Sequence, residues 1–171
     1  MATVLTTTYS SNTAITLDLS SLASSSTFVA GQESGEIDNT TNQYLDCLVN
    51  VKGITGHAST ANTVGQEIRV YVWGADTSLG TTAIDVLDGT SSAETLAQVN
   101  VLNALRFAGS NACTVTTAGL LYYIQPFSVA SLFGGIMPKF WGIFVSHNFT
   151  GALGASNNSL FSYTGVKYTS T

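Results

Sequence analysis

The sequence predicts an all-β protein: a single-domain antiparallel β-sandwich, jelly-roll-like, with an extended N-terminal arm. Three observations lead there. Charged residues make up only 9% of the 171, and Ser, Thr, Asn and Gly stand in their place, a composition that disfavours helix and suits strands and turns. Short apolar stretches with period-two alternation recur about eight times between polar loops, with no recurring helical segment. No internal repeat or linker divides the chain, and its length suffices to bury ~70% of the unfolded surface in one core. The expected division is an arm, residues 1–13, and a sandwich domain, residues 14–171.

Residues 1–13 are mostly Thr and Ser. They hold too little apolar surface to order alone, so they are expected to be disordered until they add to a neighbouring sheet. Ile15, Leu17 and Leu19 alternate with Thr16 and Asp18, the first strand pattern. A short extended piece, 27–30, follows. Residues 31–42, GQESGEIDNTTN, read as a polar loop. The stretch 44–54 is a long strand candidate whose Leu45, Cys47, Val49 and Val51 form an apolar row.

After a Gly/Ser/Thr loop at 55–65, residues 66–73 alternate strongly, with Ile68, Val70 and Val72 on one face. The loop 74–92 is too long for a simple hairpin connection. Residues 93–107 fit both helical spacing and alternation; a helical turn near Ser92 followed by a strand is the reading favoured here. Residues 119–125 form a strand apolar on both faces. The stretch 128–148, SVASLFGGIMPKFWGIFVSHN, breaks at Gly134-Gly135 and restarts after Pro138 as a strand, 139–147. In it Trp141, Ile143 and Val145 point one way, Phe140 and Phe144 the other. Gly142 between the aromatics marks a bulge or a close backbone approach. Residues 160–168 form the last strand.

A strand apolar on both faces is either central in the fold or covers another subunit. That makes Phe140, Trp141, Ile143, Phe144, Tyr122 and Tyr123 the interface candidates. It also predicts a homo-oligomer, a trimer in the first instance, with closed symmetry.

The net charge is −5 and the five basic residues are scattered. Phosphate neutralisation needs a basic surface, so nucleic acid is not an expected partner. A polybasic membrane patch and a bilayer-length apolar run are missing too. Residues 1–19 lack the basic start and apolar core of a signal peptide, so folding in a cytosol is expected. There Cys47 and Cys113, with no metal or redox spacing, should be buried thiols.

Chemistry has few candidates. Glu33, Glu36 and Asp38 are the one close acidic group; a calcium loop or a paired-carboxylate glycosidase would use such residues, but a solvated loop with turn caps explains them better. His57 and His147 come without a nucleophile elbow and cannot alone make a zinc site. Tyr122, Tyr123, Trp73 and Trp141 could stack on sugars, though packing accounts for them more simply. Asn39, Asn148 and Asn157 head glycosylation triplets that need a secretory route to matter. No catalytic residue, cofactor or metal ligand is therefore expected.

Two blocks carry a resemblance. One is ESGEIDNTTNQYLDCLVNVK, residues 33–52, preceded by LDLSSLASSS; the other is the 128–148 stretch with its following Gly/Ala/Asn loop and closing strand. Together they resemble a family of small virion structural proteins of tailed bacteriophages, some of which are capsid decoration, or cement, proteins. The resemblance covers about half the chain in discrete blocks and implies no catalytic motif. It implies a non-enzymatic protein, folded in the host cytoplasm, that binds the major capsid protein on the capsid exterior. The alternative it leaves open is a head- or tail-associated fibre or receptor-binding module contacting a host glycan.

Overall fold

A computed structural model describes residues 5–81 and 83–170. In chain order its strands are β1 (Leu5–Tyr9), β2 (Thr13–Ala14), β3 (Ala30–Glu33), β4 (Ile37–Asp38) and β5 (Asp46–Val51). Then come β6 (Ile54–Thr55), β7 (Glu67–Ala75), β8 (Ala93–Thr95) and β9 (Arg106–Ala112). The last are β10 (Leu121–Tyr122), β11 (Phe127–Ser128), β12 (Phe140–His147) and β13 (Phe161–Ser170). One helical turn, α1 (Val129–Leu132), and a 3-10 helix at Val99–Ala104 complete the set.

The strands form two antiparallel sheets face to face. The first runs β1-β13-β5-β11, with β2 beside β1 along the same edge of β13. The second runs β8-β3-β12-β7-β9, with β4 continuing the pairing of β3 along β12. This alternation of the chain between sheets is the strand order of a jelly roll, so the predicted sandwich is what forms. A small ribbon of β6 and β10 closes one end.

Between the sheets lies the main core. Cys47, Val49, Phe161 and Tyr163 from the first sheet meet Ile68, Val70, Val72, Trp141, Ile143 and Val145 from the second. Trp141 meets Tyr163 edge to face at 5.5 Å between ring centres. Ile15, Leu17 and Leu19 are buried here as their alternation predicts. They form no ladder, however: single bonds such as Ile15 N–H to Phe161 O anchor them instead. Leu45, expected in the apolar row, precedes β5 and is 48% exposed.

The second core is the main departure from expectation. It lies on the outer side of the second sheet, where Tyr71, Trp73 and Phe144 are covered by Leu79, Leu87, Leu96 and Leu105. The chain leaves β7 after Ala75 and returns at β9; on the way Leu79, Leu87, Leu96 and the 3-10 helix fold back over the sheet, while β8 pairs with β3 at its edge. The double apolar character of β12 is thereby satisfied within one chain. Gly142 fits the same picture: a Cβ there would collide with the Trp73 indole, so this glycine permits close packing across β7 and β12.

Two further expectations are corrected. Residues 5–9 of the arm are not a free segment, because β1 pairs along its length with β13, Leu5 opposite Ser170 and Tyr9 opposite Val166. Main-chain pairing orders them where apolar burial could not, and the Thr6 and Thr8 hydroxyls donate to the Thr169 and Lys167 carbonyls at 3.3 Å. Residues 1–4 of the arm lie outside the described residues. The polar stretch 31–42 is not all loop: residues 31–33 belong to β3 and 37–38 form β4, both pairing along one edge of β12. Between them Ser34 takes over the ladder: its N–H donates to Ile143 O, and its hydroxyl oxygen accepts from Ile143 N–H, both at 2.8 Å.

Candidate functional site: the outer face of the first sheet

The acidic group fastens the fold. Glu33 is fully buried, and its two carboxylate oxygens accept from Asp88 N–H at 3.1 Å and Gly89 N–H at 3.0 Å. Burial pushes its pKa up to about 7, against the two N–H donors that favour the charged form; Asp88 and Glu94 add to the rise. Glu36 accepts from the Ser78 hydroxyl and from Leu79 N–H, both at 2.7 Å. These two carboxylates clamp the excursion that covers the second core. Asp38 caps a turn by accepting from Thr40 N–H, and the Thr40 hydroxyl together with that N–H lowers its pKa.

Both histidines serve the loops at the end of the sandwich closed by β6 and β10. His147 is fully buried; its Nε2 faces Leu22 O at 2.9 Å and its Nδ1 accepts from Phe149 N–H at 3.3 Å. Burial lowers its pKa, the Leu22 carbonyl opposing, and the neutral Nε2–H tautomer suits both partners. His57 Nδ1 accepts from Thr60 N–H at 3.0 Å and Ser59 N–H at 3.3 Å.

The three asparagines of the glycosylation triplets act as peptide mimics. Asn39 and Asn157 each donate to and accept from one backbone unit, that of Tyr44 and that of Thr55. Asn148 accepts from Glu67 N–H at 2.7 Å. Both cysteines are buried free thiols, and burial pushes Cys47 up to about 12. Among the described residues no cluster of His, Cys, Asp and Glu is arranged to hold a metal. No described helix is long and apolar enough to cross a membrane.

The interface candidates divide. Trp141 and Ile143 belong to the main core, as does Tyr122, whose hydroxyl accepts from Asn62 Nδ2 at 2.9 Å. Phe144 belongs to the second core, with Phe140 packed against it. Four of these five are buried, and Phe140 is half-buried. Tyr123 alone is exposed, at 58%, its ring lying over Gly53.

What the structure leaves open is the outer face of the first sheet. Register places Leu5, Thr7 and Tyr9 of β1 beside Val166 and Tyr168 of β13. Thr164 and Ser162 follow along β13, opposite Leu48 and Asn50 of β5. Leu5, Tyr9 and Tyr168 are each about three-fifths exposed or more. A shallow groove of about 310 Å³ lies between Leu48, Asn50, Phe127, Ser128 and Thr164. The face has one carboxylate, Asp46, which is already engaged by the Ser128 hydroxyl at 2.7 Å and Ala130 N–H at 2.9 Å. Of these residues sequence reasoning singled out none; the only signal was the mixed polar row of 44–52, opposite the apolar one.

Comparison with protein-family models, with curated proteins and with solved structures returns no match.

Proposed function

We propose that the protein is a non-enzymatic structural component of a tailed-phage particle, a decoration protein on the capsid exterior that binds the major capsid protein through the outer face of its first sheet. The observation that carries this reading is the uncovered face itself: almost free of charge, and dotted with exposed Leu5, Tyr9, Leu48 and Tyr168. Such a face can be buried on a shell without stranding unpaired charges. The engagement of Glu33, Glu36, His57 and His147 in backbone contacts supports the non-enzymatic part. Jelly rolls are used by viral shell proteins and by lectins alike, and fold by itself does not assign a function.

The test uses particles that lack this protein. Added wild type should co-sediment with them, and a reconstruction should place many copies evenly over the shell. Thr164→Lys with Leu48→Asp should abolish binding in a protein that remains folded. Full binding by that variant, or no wild-type density on the shell, overturns the proposal. A second reading, a tail or vertex module that contacts a host glycan, is favoured by one observation: Tyr123 and Leu121 stand exposed side by side at the looped end. A few copies at a vertex or tail would select it.

A further inference from the structure

The edges of the sheets are unequally protected. A bare strand edge invites pairing with another chain, and proteins guard against it with charges, prolines, bulges or brevity. In the second sheet, β8 is three residues long and holds Glu94 at its centre. The other edge strand, β9, begins with Arg106 and is bulged opposite Val70 and Tyr71. In the first sheet, β11 has two residues and follows Pro126. On its other edge β2 has two residues, whereas β1 reads Leu-Thr-Thr-Thr-Tyr, with no charge, proline, glycine or bulge.

The direction of its free groups follows from the ladder. Ser10 N–H donates to Gly165 O at 2.8 Å, so by alternation Thr6, Thr8 and Ser10 address β13. The N–H and C=O groups of Leu5, Thr7 and Tyr9 therefore point to the open edge, where no described strand meets them.

We propose that two copies of this chain pair antiparallel through β1, about a two-fold axis at Thr7. That register sets Thr7 opposite Thr7 of the partner subunit and Leu5 opposite the partner's Tyr9, and each outward N–H and C=O finds a mate. The two apolar side chains that β1 exposes, 64% for Leu5 and 66% for Tyr9, cover each other across the pair, a favourable aromatic–aliphatic contact. No charge on β1 opposes it. The axis stands perpendicular to the first sheet, so both outer faces look the same way. The contact is small, of the size that gives weak association, and belongs in a concentration-dependent measurement.

The experiment is sedimentation velocity on the full chain over a concentration series, with denaturation midpoints for every variant. Wild type should shift from monomer to dimer as concentration rises. Thr7→Pro removes only the outward N–H, which an edge strand tolerates, and should stay monomeric with an unchanged midpoint. Leu5→Lys with Tyr9→Lys should also be monomeric, whereas Leu5→Lys with Tyr9→Glu should regain the dimer, since each Lys then faces a Glu of the other copy. A wild type that stays monomeric at the highest concentrations overturns the proposal. So does a dimer that survives Thr7→Pro, or identical behaviour of the two charge pairs.

Discussion

The two sheets of this sandwich treat their outer faces in opposite ways. On the second sheet, Tyr71, Trp73 and Phe144 point outward and are buried, because Leu79, Leu87, Leu96 and Leu105 of the excursion between β7 and β9 fold back over them and Glu33 and Glu36 hold the cover in place. On the first sheet, Leu48, Asn50, Thr164 and Tyr168 point outward and nothing described lies on them. Both faces come from alternating strands of one antiparallel fold. The difference lies in the connections: β7 and β9 are joined by a long excursion, whereas the first sheet is built of strands whose links run to the ends. A doubly apolar strand such as β12 therefore signals a second internal core, and the surface open to a partner is the one with the less conspicuous sequence.

The sharpest way to break this contrast is to strike both faces. Phe144→Ala leaves a large cavity in the second core and should cost about 3–5 kcal/mol. Urea denaturation measures it, and a loss below about 1 kcal/mol would mean that the cover does not pack tightly. Next comes the clamp. Glu36→Ala strands the Leu79 N–H and the Ser78 hydroxyl and should cost about 1–3 kcal/mol. Hydrogen exchange should show faster exchange at 78–89 with β12 and β7 still protected.

A pH dependence sharpens the same point with a smaller effect. Glu33 in the folded state holds its proton to about pH 7, while the unfolded chain releases it near 4.5. The native state thus binds more protons across that window, so the contribution of Glu33 is full below 4.5 and is lost as pH rises through 7. His147 acts in the opposite sense: its folded pKa lies below 6.5, so stability falls as pH drops through that value. Denaturation midpoints of Glu33→Gln across this range should lose the decline toward pH 7 and keep the acid-side loss due to His147. An unaltered decline would exclude Glu33 as its source. The smallest expected effect is on the other sheet: Thr164→Lys should alter stability by no more than about 0.5 kcal/mol, as thermal denaturation would show.

The alternation of 44–54, 66–73 and 139–147 made the sandwich legible, because period-two patterning reports burial directly. Ile15, Leu17 and Leu19 show the limit of that signal: it predicted their burial correctly and their ladder wrongly, since burial does not require a strand. Residues 31–38 were hidden for a different reason. Glu33 and Glu36 look like solvated loop residues, and only the distant amides of 79, 88 and 89 make their placement beside β12 tolerable. The residues of the exposed face were unreadable because their feature is what fails to cover them, which depends on the path of other segments.

The pairing of β1 with β13 joins segments 163 residues apart at Thr6 and Thr169. During synthesis, then, β1 must wait until β13 has emerged, which happens only after β12, the central strand of the second sheet. Closing so long a loop is entropically costly and slow, as in other β-proteins dominated by distant pairings. Throughout that wait β1 is an unguarded Thr-rich strand, and β5 lacks the neighbour that will shield one of its edges. The final step of folding is thus also the one most exposed to pairing with another nascent copy.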